Sequence, residues 1–189
     1  MKNQRKKAEP LSGRKILLGI SGSIAAYKAP ELVRLLRARG ASVKCLLTVN
    51  GARFVTPLTL QTVSANKVYQ DMFDSSDWEM DHISLSDWAD MIIIAPASAD
   101  AIARLACGRA QDLLSSVVLA FDKKVLICPA MNDGMWKNPA TKRNIALLKE
   151  YGMYFAGPDK GELACGVIGS GRLTDLNNIL RTADTILSK

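Results

Sequence analysis

A three-layer, doubly wound α/β domain built on a parallel sheet is the fold class this sequence predicts, and three observations lead to it. Short, wholly apolar runs ended by Gly, Ser or Pro recur along the chain, as strands buried on both faces do. Segments with helical apolar spacing and their own stop signals separate those runs. At 189 residues the chain can bury one substantial core and is too short for two comfortable ones.

The first run, RKILLGI (Arg14–Ile20), is expected as a buried strand. IAAYKAPELVRLLRARG then predicts a helix with Ile24, Tyr27, Leu32, Leu35 and Leu36 along one stripe and Gly40 as its stop. Pro30 either kinks that helix or starts its second part after a one-turn lead-in. ASVKCLLT (Ala41–Thr48) is the second strand. DMIIIAPA (Asp90–Ala97) is the plainest, with Pro96 expected to force the chain out of the sheet, and KKVLICPA (Lys123–Ala130) repeats its form. Between these two, ASADAIARLACG and QDLLSSVVLAF predict helices separated at Gly108 and Arg109. NPATKRNIALLKEYG (Asn138–Gly152) opens with a capping Asn and a Pro at the first helical position. A short strand in MYFAGP and a helix from about Asp175 to Ser188 close the series. The alternation gives one Rossmann-like, flavodoxin-like parallel sheet over residues 14–189, with helices on both faces. Ligands of such sheets sit beyond the carboxyl ends of the strands, where GSIAAYK, PASAD and PAMNDGMW fall.

Composition excludes several classes. Hydrophobic residues at 48% and charged residues at 23% are ordinary for a globular domain, and no apolar run has the length of a membrane span. The net charge of +7 is concentrated at the start: residues 1–15 hold six of 25 Lys/Arg and one of 18 Asp/Glu, leaving 19 basic and 17 acidic residues elsewhere. The body therefore has no basic face for nucleic acid, and residues 1–13 are expected to form a basic disordered tail, not a secretory signal. Four separated cysteines and a single histidine do not make a zinc site, and a reduced, cytoplasmic protein is expected. Cys45, Cys107 and Cys128 lie in apolar company and are expected to be buried thiols.

Five segments carry candidate chemistry. In GISGSIAAYK, Gly19, Gly22 and Ser23 precede a helix amino end, where backbone N–H groups and the helix dipole favour phosphate. The turn matches neither G-x-G-x-x-G nor G-x-x-x-x-G-K-[ST], so a mononucleotide phosphate fits it better, and a plain tight turn would use the same glycines. Ser98 either meets a phosphate or ring edge, caps the next helix, or does both. PAMNDGMW (Pro129–Trp136) places Met131, Met135 and Trp136 in a loop, which folds over a ligand or packs on its own domain. Its Asn132 offers a donor and an acceptor to a carboxylate or amide. His82 is the chain's one imidazole, either a group at the site edge or an ordinary surface histidine. GELACGVIGSGRL (Gly161–Leu173) is too rich in glycine for a strand or helix, and is expected as a lid bearing Cys165 and Arg172 or as a plain flexible loop.

Taken in order, GSIAAYK, TPLTLQTVS, HISLSDWAD, PASADAIARLACGRAQDLLSS, PAMNDGMW and ACGVIGSGRL resemble the homo-oligomeric flavin-containing cysteine decarboxylases, most closely the phosphopantothenoylcysteine decarboxylases of coenzyme A biosynthesis. The resemblance runs from about Arg14 to Ser188. It implies FMN, bound by Gly22, Ser23, Ile24, Thr48, Asn50 and Phe54, by Ser98, Ala99, Asp100 and Ala101, and by Ala130 and Met131 beside the isoalloxazine. It implies that His82 is the essential histidine and that Asn132 binds the substrate carboxylate. Met135, Ala164, Gly166 and Arg172 would complete the substrate site, with Cys165 as the late proton donor. The implied reaction converts 4'-phospho-N-pantothenoylcysteine, a small phosphorylated cysteine amide, to 4'-phosphopantetheine. It proceeds by oxidation to a thioaldehyde, carbon dioxide loss to an enethiol, and re-reduction. The implied assembly is a homotrimer, or trimers assembled further, with sites shared between neighbours.

The match departs at Val167, where related lids commonly carry Asp, so a polar lid contact is lost or supplied elsewhere. The flavin segment has SAD where SAN or TAD also occur, and the synthetase that accompanies bacterial relatives is expected to be absent. Three other readings compete. A peptide cysteine decarboxylase is disfavoured by the ACG lid, and a flavin prenyltransferase by PAMNDGMW and His82. A non-catalytic regulatory flavoprotein is kept open by Val167.

Overall fold

The computed structural model describes residues 10–72, 81–164 and 166–189. Most of the expected basic tail, residues 1–9, lies outside the described residues, as do residues 73–80 and Cys165. The tail does not extend to residue 13. Leu11 is fully buried in the core, and the Gly13 N–H donates to the Gly40 carbonyl at 2.9 Å, so an apolar anchor holds the chain ahead of the first strand.

The strands of the central sheet are β1 (Lys15–Ile20), β2 (Ser42–Leu47), β3 (Val68–Tyr69), β4 (Met91–Ala97), β5 (Lys124–Pro129) and β6 (Tyr154–Phe155). They pair in the order β3-β2-β1-β4-β5-β6, every pair parallel. The helices are α1 (Ala29–Ala38), α2 (Pro57–Ser64), α3 (Asp81–Trp88), α4 (Ala99–Ala106), α5 (Leu113–Ala120), α6 (Asp133–Lys137), α7 (Pro139–Glu150) and α8 (Leu176–Leu187).

Because strand side chains alternate between faces, the apolar runs divide into two core layers. On one face Ile16, Leu18, Ile20 and Ile93 pack with Leu32 and Leu36 of α1, Leu60 of α2, and Ile179 and Ala183 of α8. On the other, Leu17, Ile92 and Ile94 pack with Leu85 of α3, Ile102 of α4, Leu114 and Val117 of α5, and Leu148 of α7. Each large side chain so buried contributes roughly 1.5–3 kcal/mol, which is why runs apolar at every position specify the middle layer. The three-layer, doubly wound architecture is thus as expected.

Several local expectations change. A 3₁₀ turn (Ile24–Lys28) leads into α1, whose first turn holds Pro30, so the lead-in alternative is the one realised. At three residues per turn that segment falls out of phase with α1, leaving Ile24 and Tyr27 exposed while Leu32 and Leu36 are buried. Pro96 does not end β4. The strand continues to Ala97 through a register shift after Ile94, which spares the missing N–H a ladder partner. Cys107 is exposed, because it caps the end of α4 beside Gly108 at φ +61° and turns away from the core. The glycine-rich segment is not a plain loop: β7 (Asp159–Glu162) and β8 (Ile168–Arg172) form an antiparallel hairpin. No strong apolar period announced α2, although Thr56 caps it by accepting the Thr59 N–H at 3.2 Å and Pro57 opens it.

Candidate functional site

Strand order reverses between β1 and β4, and at that switch point the carboxyl ends of the two strands are tied together. The buried Ser21 hydroxyl donates to the Pro96 carbonyl at 2.8 Å and accepts the Ser98 N–H at 2.8 Å. The Gly22–Ser23 turn and Ser98 are therefore held side by side. Ser21 was not singled out from the sequence; its position directly after a buried strand was the available signal.

Both serines at this edge face helical amino ends. Ser23 accepts the Ala25 N–H at 3.4 Å, and Ser98 accepts the Ala101 N–H at 3.2 Å as the cap of α4. Each hydroxyl keeps its own proton to donate, so capping and ligand binding are compatible at Ser98. Thr48 and Asn50 stand behind the turn and do not line the cleft described below. Thr48 donates through Oγ1 to the Ile20 carbonyl at 3.2 Å and accepts the Gly51 N–H at 3.1 Å. Asn50 packs so closely on Gly22 that a Cβ added there would lie 2.5 Å from its own Cβ. Asp100 is also outside the cleft lining and pairs with Arg104 at 2.8 Å, while Ala101 is buried in the first turn of α4.

Beyond this edge opens a cleft of about 620 Å³, within the range of small-molecule sites. It is lined by Gly22, Ser23, Ile24, Phe54, Ser98, Ala99, Ala130, Met131, Asn132, Met135, Ala164 and Arg172, all expected from the sequence. Ala25, Tyr27, Lys28, Glu162, Leu163, Gly171 and Leu173 join them without having been expected. Tyr27 and Lys28 fall in the one-turn lead-in that the sequence leaves open ahead of Pro30, and as a 3₁₀ turn that segment lines the cleft. Lys28, whose Nζ lies 5.9 Å from the Tyr27 ring centre, and Arg172 make no ion pair among the described residues, so the cleft presents two cations against the single carboxylate of Glu162. An apolar wall of Ile24, Phe54, Met131 and Met135 with two cations suits a flat apolar ring and anionic groups.

The loop after β5 both folds over the cleft and packs on its own domain. Its Ala130 N–H donates to the Ala97 carbonyl at 3.0 Å, and Met131 and Met135 line the cleft. Trp136 instead packs on the second core layer beneath Lys142, whose Nζ is 3.6 Å from the ring centre. Asn132 caps α6, its Oδ1 accepting the Gly134 N–H at 2.8 Å. Its amide N–H groups have no partner among the described residues and remain available to a ligand.

His82 is not brought to this cleft. It is half-buried on α3, which packs against α5, and its Nδ1 is buried with no hydrogen-bond partner among the described residues. Gly166 is exposed at φ +79° and does not line the cleft, and the expectation for Cys165 falls outside the described residues. Burial pushes the Cys45 thiol up to about 12 and raises that of Cys128 as well, so neither is a nucleophile at neutral pH. Among the described residues no His/Cys/Asp/Glu group could hold a metal, and no helix is long and apolar enough to cross a membrane.

Comparison with known proteins extends this description. A family model described as Flavoprotein matches residues 4–188. The coenzyme A biosynthesis bifunctional protein CoaBC of Vibrio vulnificus is 49% identical over 168 residues, covering 88% of this chain and 42% of that protein. The chain thus spans about two fifths of the length of such relatives. The structure of a PPC decarboxylase mutant complexed with pantothenoylaminoethenethiol superposes with a TM-score of 0.85 at 32% identity, covering 93% of this chain and 99% of the other. That of the FMN-dependent cysteine decarboxylase SpaF superposes with a TM-score of 0.83 at 29% identity, covering 95% and 99%.

Proposed function

The chain belongs to the flavoprotein family, and from that premise we propose that its cleft binds FMN and decarboxylates 4'-phospho-N-pantothenoylcysteine to 4'-phosphopantetheine. The observation that carries this reading is the cleft at the switch point, where residues of the segments expected to hold flavin and of those expected to hold substrate share one lining. The residues present fit the cofactor. Gly22, Ser23 and Ser98 offer a compact, hydroxyl-bearing cradle at helical amino ends for its phosphate, and Ile24, Phe54, Ala130 and Met131 offer apolar surface to its ring. FMN, when bound, supplies a reversible two-electron oxidation at the substrate's thiol-bearing carbon, which makes carbon dioxide loss accessible.

The chain's own residues bind, orient and move protons. The free amide N–H groups of Asn132 bind the substrate carboxylate, and Arg172 and Lys28 balance the remaining anionic charge. His82 acts as base and Cys165 as the final proton donor. Since His82 lies away from its own chain's cleft, we place it at the cleft of a neighbouring copy, in a homotrimer or an assembly of trimers. The same reading places the enzyme in the cytoplasm, where free thiols persist.

Purified protein is expected to be yellow and to release FMN on denaturation; colourless protein that cannot be reconstituted would count against the proposal. Gly22→Val drives a branched side chain into Asn50, and FMN affinity is expected to fall by about tenfold or more, read by flavin fluorescence titration. Unchanged affinity would remove the turn from the cofactor site.

A further inference from the structure

Building on the proposed reaction, the geometry points to Asp133 as a positioning residue that docks the glycine hairpin onto the loop carrying Asn132, fixing Arg172 and Asn132 relative to one another. Asp133 lies outside the cleft lining, but Asn132 precedes it, and Gly171 and Arg172 lie just across its bonds.

One edge of β8 pairs with β7; the other meets the loop after β5 in place of a further strand. There the Ser170 N–H donates to Asp133 Oδ1 at 2.8 Å, and the Met131 N–H donates to the Gly171 carbonyl at 2.9 Å. These bonds satisfy an edge that would otherwise be open, and the one to the carboxylate is charge-assisted. The contact is close enough to require glycine. A Cβ on Gly169 would lie 2.8 Å from the Asp133 side chain, and one on Gly171, which sits at φ +134°, would overlap the Met131 carbonyl. The glycines that disguised this segment as a loop therefore permit the docking.

The carboxylate is itself well held. Its Oδ2 lies 2.7 Å from Lys137 Nζ one turn along α6. The Lys137 ammonium first, and the Ser170 N–H second, keep the Asp133 carboxyl below the usual carboxylate range. The base of the hairpin has a separate anchor, since Asp159 Oδ1 accepts the Thr174 hydroxyl at 2.9 Å. Loss of Asp133 thus removes the side-chain clasp from the cleft-side edge, which keeps only the Met131–Gly171 bond there, while leaving the base attached.

The test compares Asp133→Ala, Asp133→Asn and Lys137→Ala in the FMN-loaded enzyme. Asp133→Ala is expected to raise KM for phosphopantothenoylcysteine about tenfold or more, the scale of one lost charge-assisted hydrogen bond, with kcat changed less and the flavin spectrum unaltered. Asp133→Asn keeps an oxygen acceptor for Ser170 and is expected to restore most of that loss. Lys137→Ala leaves the clasp in place and is expected to stay within about twofold. An unchanged KM in Asp133→Ala, or an equal defect in Lys137→Ala, overturns the proposal, the latter by showing that Asp133 serves only to stabilise α6. Amide exchange across β8 gives a readout that needs no substrate: about tenfold faster in Asp133→Ala and unchanged in Lys137→Ala. Unchanged β8 exchange in Asp133→Ala overturns the docking whatever the substrate is. Altered exchange in a protein whose wild type releases no carbon dioxide supports the docking and counts against the reaction alone.

Discussion

His82→Asn is expected to stop carbon dioxide release from phosphopantothenoylcysteine while leaving FMN bound. A positioned acid or base contributes on the order of 10²–10⁴ in rate, and an amide of similar size cannot take up a proton near neutral pH. Flavin content should hold because His82 is not among the residues that line its own chain's cleft, and because α3 is secured by Leu85 in the core. The buried Nδ1 lacks a partner among the described residues, so the substitution breaks no hydrogen bond seen there. Carbon dioxide release measured beside the flavin absorbance of the same sample checks both halves. Full turnover in the variant would show that another group is the base, and colourless protein would show that His82 supports the cofactor site after all.

Cys165→Ser is the second large effect. A serine hydroxyl is a far weaker acid than a thiol, so the variant should still lose carbon dioxide from the oxidised substrate but fail to complete the final protonation. The oxidised enethiol is expected to accumulate in place of 4'-phosphopantetheine, detected by the product's mass. Normal product at a normal rate would take Cys165 out of the reaction.

The middle layer of the fold was legible because strands covered on both faces must be apolar at every position, as Met91 to Ile94 are. Features that depend on distant partners were not. Nothing local to Pro96 shows that its carbonyl accepts from Ser21, and nothing local to Gly169 or Gly171 shows that Asp133 and Met131 press against them. The expected place of Tyr27 on the buried stripe failed for a related reason, since a change from 3.6 to 3 residues per turn alters which way a side chain faces without altering composition. Within the cleft, the Gly22–Ser23 turn, Ser98 and the Asn132 loop were readable as short motifs at strand ends. Thr48, Asn50 and Asp100 sit beside those motifs in sequence but point their bonds at the backbone turn or at Arg104, and adjacency alone could not separate them from the lining. His82 lies on a helix away from the cleft, a placement that a single chain's residue spacing does not encode.

Mass spectrometry of the yellow protein incubated with 4'-phospho-N-pantothenoylcysteine, beside a peptide ending in cysteine, bears most directly on the central claim. The small phosphorylated substrate is expected to lose one carbon dioxide and appear as 4'-phosphopantetheine, with the peptide untouched. Decarboxylation of the peptide alone, or of neither compound by flavin-loaded protein, would contradict it.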